Sequence, residues 1–291
     1  MMLSAVLLSA IVLTAPALPS RAVRVHDVRD SVVERLLTRN NGGRRPYSVL
    51  GFSRVDGAIV SHHIPNAMGL NIALYKGLSA LTRPRTFVVL GPNHQDIGGW
   101  PIVTTTDSFQ TRFGIVQADR GAITTLQQQV PLPETSALFN IEHSIYSQVQ
   151  PIAAIFPGAR IVPIAISSTY SVAQAQALGK TLARVLPKDA IVIASIDFSH
   201  YHSAESAAAR ERKSAQLLKT LAVDAVELVD TDSQQSLAAL LSFVKARGAT
   251  TAQVFDVVNS AQLGGSPSYT TGYVIAAFGR SAKSQAQVRS R

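Results

Sequence analysis

Six of the seven histidines in this chain of 291 residues fall in four short polar clusters. The clusters are Ser61-His62-His63, Asn93-His94-Gln95, Glu142-His143-Ser144 and Asp197-Phe198-Ser199-His200-Tyr201-His202. Imidazole is the commonest neutral ligand for divalent transition metals, and a carboxylate often completes a site that keeps open coordination positions. Three histidines together with Asp197 or Glu142 would suit Fe(II), Cu, Mn or Zn, provided that the fold gathers them in one place.

The segments around these clusters predict how the fold would position them. Apolar, β-branched runs predict strands at Ala58–Val60, Thr86–Leu90, Arg160–Ile166, Ala190–Ile196, Ala252–Val258 and Tyr269–Phe278. Helical patterns lie at Ala67–Leu81, Arg120–Gln129, Ser144–Ile155, Ser171–Val185, Glu205–Leu221 and Ser233–Ala246. This alternation predicts an α/β layered fold whose sheet is covered on both faces. Three clusters directly follow a predicted strand and the fourth opens a helix. Because loops at the carboxyl ends of such strands converge on one crevice, we expect a shared site.

Some of the pairing in this sheet is expected to be antiparallel. The stretch Pro101–Thr106 is extended, and only a short turn separates the last two predicted strands. We therefore predict a single layered α/β domain, built on a mostly parallel mixed sheet flanked by helices. No heptad repeat or symmetric patch indicates an oligomer, so the oligomeric state stays open.

Composition and charge exclude several classes of function. The chain has no cysteine, which excludes disulfides, thiolate zinc sites, iron–sulfur clusters and a cysteine nucleophile. The net charge of +9 belongs to the flanks, because residues 55–279 carry 15 basic and 15 acidic side chains. No groove-reading motif accompanies the charge, so no specific nucleic-acid binding is predicted. The basic flanks are expected to aid solubility or contact anionic surfaces.

The amino end carries an apolar run of 12 residues, Leu3–Thr14, followed by Ala15-Pro16-Ala17. This run is short of the ~20 apolar residues that a membrane span needs and is typical of a secretion signal. Residues 1–22 are therefore predicted to be a signal peptide, although no Lys or Arg precedes the run. An uncleaved anchor and an ordinary helix of a cytoplasmic protein are the alternatives. Residues 23–46 form an Arg-rich lead, 47–280 the folded domain and 281–291 a basic tail.

Five motifs, spread from about Gly57 to Gly279, resemble the Memo family in sequence and order. They are Ser61-His62-His63, Val89-Leu90-Gly91-Pro92-Asn93-His94, Glu142-His143-Ser144-Ile145, Ser195-Ile196-Asp197-Phe198-Ser199-His200-Tyr201 and Ser268-Tyr269-Thr270-Thr271-Gly272-Tyr273. The Memo family includes the AmmeMemoRadiSam system protein B group and is structurally related to class III extradiol ring-cleaving dioxygenases. The resemblance implies a dioxygenase-like fold.

Residue by residue, the resemblance implies metal-site roles for His62, His94 and His143. His63 is the alternative to His62, because adjacent residues on an extended segment point in opposite directions. Ser199 occupies the position of a cysteine ligand in animal members of the family, so the resemblance places it among the expected metal ligands, although a neutral hydroxyl is a far poorer ligand than a thiolate. Asp197 or His200, which flank Ser199, would then restore a hard or borderline ligand.

The first functional hypothesis is a metal-dependent, dioxygenase-like oxidoreductase acting on a small molecule. The expected metal is Fe(II), followed by Cu or Zn. The predicted catalytic residues are Asp197, His143 and His200. Asp197 would be a metal ligand or fix a histidine tautomer, and His143 would lie at the metal. His200 would be the proton-transfer group. One alternative is a recognition protein that binds a small molecule or peptide in the same crevice. Another is a zinc-dependent hydrolase.

Overall fold

The computed structural model describes residues 22–24, 30–38 and 44–282, and one large mixed sheet forms its centre. The strands are β1 (Ala22–Arg24), β2 (Phe52–Val60), β3 (Thr86–Pro92), β4 (Ile102–Thr104), β5 (Ser108–Thr111), β6 (Gly114–Ala118), β7 (Arg160–Ile166), β8 (Ile191–Ser195), β9 (His200–His202), β10 (Thr251–Asn259) and β11 (Thr270–Ser281). The helices are α1 (Asp30–Thr38), α2 (Met68–Leu81), α3 (Arg120–Gln127), α4 (Ser136–Phe139), α5 (His143–Ile155), α6 (Val172–Val185), α7 (Ala204–Lys219) and α8 (Gln234–Ala246). Short 3₁₀ helices lie at Val223–Leu228 and Ser260–Leu263.

The middle of the sheet is parallel. The main path runs β1-β5-β6-β7-β3-β8-β2-β11-β10, and β7, β3, β8 and β2 pair in parallel. Every residue of β3 and β8 is buried, as expected of apolar strands covered on both faces. Strand β4 pairs antiparallel with β7, and β10 pairs antiparallel with β11. The predicted layered α/β fold with a mixed sheet is therefore confirmed.

The two faces of the sheet have separate hydrophobic cores. Because side chains alternate along a strand, Ile59 and Val88 lie in one core and Val60 and Val89 in the other. Helices α6 and α8 supply the first core, and α2 and α5 supply the second. Helix α7 also joins the first core, where it packs against β10 and β11. This double cover fixes the carboxyl ends of β3, β8 and β2 side by side at one edge.

Three features of the fold differ from or extend the sequence pattern. The strands of the hairpin β5–β6 and strand β9 are only three to five residues long, too short for their pattern to be recognised in the sequence. Within the Arg-rich lead, α1 buries Val33 against Ile64, Met68 and Ile72. The apolar run at the amino end and residues 283–291 of the basic tail lie outside the described residues. None of the described helices combines the length and apolar character that crossing a bilayer requires.

A pair of helical glycines offers a direct test of this packing. A Cβ on Gly179 of α6 would lie 2.1 Å from the carbonyl oxygen of Ala239 in α8, whereas a Cβ on Gly69 of α2 would meet nothing within 4 Å. We expect Gly179→Ala to lower the free energy of unfolding by about 1–3 kcal/mol, because the two helices must separate. Gly69→Ala should leave it unchanged or raise it by up to about 1 kcal/mol. Urea unfolding measures both, and equal stability of the two variants would contradict the close contact of α6 with α8.

Candidate metal centre

Imidazoles from three distant parts of the chain meet at the carboxyl edge of the sheet. His62 follows β2, His94 follows β3 and His143 begins α5. Their ring centroids lie 4.4–5.1 Å apart, and one nitrogen from each ring lies within 4.8 Å of the others. Nitrogens bound to a single ion about 2.1 Å away would be about 3–4 Å apart, so small side-chain rotations suffice to bind one. The geometry therefore fits one divalent transition-metal ion.

His62 is the most deeply buried of the three and has a defined tautomer. Its Nδ1 lies 3.1 Å from the carbonyl oxygen of Ser195, which can only accept a hydrogen bond. Nδ1 therefore carries the proton in the neutral ring, and the lone pair is on Nε2. That Nε2 lies 3.1 Å from Asp232 Oδ2 and 3.6 Å from Asp197 Oδ2. These three groups form a second cluster of potential ligands that shares His62 with the first.

His94 is held in the same way by Glu142. The Glu142 carboxylate accepts a hydrogen bond from the backbone N–H of His94 at 2.9 Å and lies 2.8 Å from His94 Nδ1. It also caps α5 by accepting from Ser144 N at 2.9 Å. This pairing leaves His94 Nε2 free to bind a metal, as in the carboxylate–histidine–metal arrangements of metalloproteins. Glu142, which the sequence offered as an alternative to Asp197 for completing the site, thus supports His94 instead.

The electrostatics of the cluster favour a positive charge beside the buried carboxylates. Burial lowers the pKa of His143 to about 4, assisted by the nearby positive charge on His62. Burial alone would raise the pKa of Glu142, but its hydrogen bonds with His94 lower it to about 2. Burial likewise opposes charge on His62, yet Asp197 and Asp232 raise its pKa to about 10. The buried carboxylates therefore stabilise positive charge at this point.

Asp197 anchors the loops that carry the histidines. It is buried, and its Oδ1 accepts hydrogen bonds from the Ser61 hydroxyl and, at 3.3 Å, from His62 N. The buried amide of Asn71 in α2 holds Ser61 from the other side, at 3.1 Å from its N–H and 2.6 Å from its carbonyl. The sequence prediction that Asp197 belongs to the site agrees with this placement, in which it both lines the cavity and positions His62.

Asp232 is the member of the site that the sequence analysis missed. It follows no strand and lies immediately before Ser233, the N-cap of α8. Its carboxylate accepts from the backbone N–H of Asp197 at 3.2 Å, while Thr231 Oγ1 donates to the Asp197 carbonyl at 2.7 Å. The signal available in the sequence was an acidic pair, Asp230 and Asp232, directly ahead of a predicted helix.

His63 also lines the cavity, so the expectation that only one of the two adjacent histidines faces it is wrong. Alternation applies within a strand, and β2 ends at Val60, before the histidine pair. His63 nevertheless stays out of the imidazole cluster. Its Nδ1 is hydrogen bonded to the hydroxyl of Tyr273 over 2.7 Å, and burial raises the pKa of that hydroxyl far above its usual value.

The histidine cluster opens into a cavity of about 620 Å³. His200 lies on its wall, where β9 pairs with β11 through His200 and Thr271. Its imidazole makes no hydrogen bond to another described residue, so it is able to face a bound molecule. Tyr146 and Tyr201 complete the aromatic part of the wall. The structure thus places His200, Asp197 and His143, the predicted catalytic residues, around one cavity.

Ser199 does not join the other predicted ligands. It is fully buried, and its hydroxyl donates a hydrogen bond to Glu211 Oε1 in α7. Glu211 itself lies against Gly272, where a Cβ would be 2.0 Å from its Oε1. The expectation of a Ser199 ligand is therefore corrected, because this hydroxyl is engaged behind the cavity wall. The carboxylates that lie beside Nε2 of His62 are those of Asp197 and Asp232.

Glu211 should give the protein a measurable pH dependence of stability. Burial raises the pKa of Glu211 to about 7. Between about pH 4.5 and 7 Glu211 then holds a proton in the folded chain that it has lost in the unfolded chain, so its contribution to the free energy of unfolding falls by about 3 kcal/mol as the pH rises. Glu211→Gln should remove this decrease, whereas exposed Glu227→Gln should retain it. Urea unfolding from pH 4.5 to 8 measures this, and a slope shared by Glu211→Gln and the wild type would contradict it.

Comparison with known proteins places this arrangement in context. The fold is similar to that of the uncharacterized protein JW3007 from Escherichia coli K12, with a TM-score of 0.51 and 14% identity over 77% of this chain and 99% of that one. The MEMO1 family protein MK0963 from Methanopyrus kandleri is 27% identical over 71% of this chain and 76% of its own length. A MEMO1 family protein from Caldivirga maquilingensis is 32% identical over 48% of this chain, and the match spans only 50% of that relative.

The family assignment rests on the match of this chain to a family profile. The profile of Memo-like proteins matches residues 55–277, which is well over half of the chain and contains all three clustered histidines. It also covers β3, β8 and the carboxyl end of β2, where two of those histidines are presented. The resemblance found in the sequence motifs is confirmed, and the chain belongs to the Memo family.

Proposed function

We propose that this protein is an Fe(II)-dependent oxygenase that opens the ring of a small aromatic diol with O₂. The observation that carries the proposal is the convergence of His62, His94 and His143 on one open cavity, with Nδ1 of two of them already engaged by hydrogen-bond acceptors. Pre-oriented imidazoles that leave one side open to solvent are suited to a metal that must also bind substrate.

The donor set favours Fe(II), with Cu or Zn next. Imidazole nitrogens and the carboxylates of Asp197 and Asp232 are borderline and hard ligands, which suit Fe(II), Cu(II) and Zn. The chain has no cysteine, so the soft thiolate that would favour Cu(I) is absent. Asp197 and Asp232, whose carboxylates face Nε2 of His62, would balance the charge of one divalent ion.

Each residue then has a defined task. Bound Fe(II) supplies the redox chemistry with O₂ and the open positions for a diol. His62, His94 and His143 hold it, while Glu142 and the Ser195 carbonyl keep two of the rings in the ligating tautomer. His200, on the cavity wall, accepts the proton that the diol releases and returns it to the product. Both oxygen atoms enter the ring-opened product, so no external reductant is consumed.

Anaerobic loading with Fe(II), followed by addition of catechol and O₂, tests the proposal. We expect a ring-opened product and consumption of one O₂ per catechol. His200→Gln should retain Fe(II) but lose about 10²–10⁴-fold in kcat, the usual contribution of a proton-transfer group. Full retention of Fe(II) without turnover of any simple diol would contradict the oxygenase assignment. Failure to retain any divalent transition metal would contradict the metal centre itself.

A further inference from the structure

The walls of the cavity carry an uneven distribution of charge. None of the ten described residues that line it is Lys or Arg, and two of them are the carboxylates Asp197 and Asp232. Sites that bind carboxylate or phosphate groups supply Arg or Lys to pair with them. Once a divalent ion is balanced by Asp197 and Asp232, this cavity has no further positive side chain for an acidic molecule. The lining therefore suits molecules that are neutral or positively charged.

The mouth of the cavity holds an aromatic side chain in an unfavourable conformation. Tyr201 has φ = 64°, in the left-handed region that bulky residues avoid. The pairing of β9 with β11 on either side, through His200 with Thr271 and His202 with Thr270, keeps its backbone in place. Its ring lines the cavity, yet the residue is 69% exposed. Neither the backbone strain nor the exposure is compensated by packing in a core.

A second tyrosine extends this aromatic surface. The ring of Tyr269 lies 4.9 Å from that of Tyr201 with an interplanar angle of 36°, and Tyr269 is 63% exposed. Exposed aromatic faces at a cavity mouth can stack on planar rings and attract cations through the ring quadrupole. The pair thus combines with the acidic interior to favour the same class of molecule.

We propose that Tyr201 and Tyr269 form a stacking edge that selects an aromatic molecule bearing no acidic group, with a protonated amine preferred. The inference rests on the proposed function, because it names the substrate class of the same cavity. Tyr201 is the specificity-determining residue, since it both contacts the ring of Tyr269 and lines the cavity. The strained backbone holds its ring at the entrance, where an incoming ring meets it before reaching the imidazoles.

Three para-substituted phenols whose side chains are positive, neutral and negative test the inference by calorimetry on the zinc-loaded and metal-free chain. They are tyramine, 4-ethylphenol and 3-(4-hydroxyphenyl)propionate. We expect tyramine to bind at least about tenfold more tightly than the propionate, with 4-ethylphenol between them. Tyr201→Phe should bind like the wild type, whereas Tyr201→Gly should weaken all three by about fivefold. Glycine readily adopts the backbone conformation of Tyr201, so this variant should fold and keep the zinc stoichiometry of the wild type.

The outcomes separate this inference from the metal centre. Tightest binding of the propionate, or equal affinities in Tyr201→Gly and Tyr201→Phe, would overturn the inference and leave zinc retention untouched. The expected order of affinities in a chain that retains no zinc would support the stacking edge while contradicting the metal-dependent function. The expected order together with one zinc per chain would support both.

Discussion

His62→Ala is expected to lose stoichiometric metal binding, whereas His63→Ala keeps it. The two residues are neighbours in sequence and both line the cavity, but only His62 belongs to the imidazole cluster. Removing a ligand should weaken binding by more than about 100-fold, which is the upper end of the loss caused by removing a mere supporting residue. Elemental analysis after loading and desalting, together with calorimetric titration of Zn(II), measures the difference.

A third variant, His94→Ala, distinguishes loss of the metal site from loss of folding. Alanine at position 62 leaves Asp197 and Asp232 without their buried imidazole, so part of the effect on the protein would be on stability. His94 has a side chain that is 29% exposed, and His94→Ala should therefore lose the metal with a smaller change in melting temperature. Equal metal content in His62→Ala, His94→Ala and His63→Ala would rule out the cluster as the binding site.

Glu142→Gln is expected to weaken metal binding by about 10–100-fold although Glu142 is not a ligand. The amide retains one oxygen for hydrogen bonds from backbone N–H groups, but it has a single acceptor oxygen where the carboxylate has two. The contacts with the backbone N–H of His94, its Nδ1 and Ser144 N can no longer all be satisfied. His94 then loses both its fixed tautomer and the basicity that the carboxylate confers. Zn(II) titration of the variant measures the loss.

Glu134→Gln is the matched control for this prediction. Glu134 also accepts hydrogen bonds from neighbouring groups, at 2.6 Å from Thr106 Oγ1 and 3.3 Å from Gln127 Nε2, but it does not line the cavity. Its replacement should leave Zn(II) affinity within about twofold of the wild type. If Glu142→Gln and Glu134→Gln bind Zn(II) equally well, the support that Glu142 gives to His94 has no role in metal binding.

The location of the site was predictable because it depends on sheet topology. His62, His94 and the Asp197 cluster each follow a buried strand, and the corresponding strands β2, β3 and β8 are parallel, with β8 between the other two. Continuous apolar runs identify such strands in a sequence, and parallel pairing puts their carboxyl ends together. The clustering of histidines from separate segments then follows from the fold.

The finer assignment of ligands was less predictable, because it depends on side-chain directions outside regular structure. His63 lies beyond the end of β2, so strand alternation does not govern it. The hydroxyl of Ser199 donates its hydrogen bond to Glu211, a residue of α7 that no sequence pattern marks as buried. Asp232 reaches His62 from a loop ahead of α8 through backbone contacts with Asp197. These contacts are set by tertiary packing, which neither periodicity nor motif spacing describes.

Anomalous diffraction from crystals grown with Fe(II) or Zn(II) tests the central claim most directly. We expect one peak per chain, about 2.0–2.2 Å from a ring nitrogen of each of His62, His94 and His143, with Nε2 as the ligating atom of the first two. An ion bound elsewhere, or fully loaded crystals in which these three rings share no peak, would contradict the account.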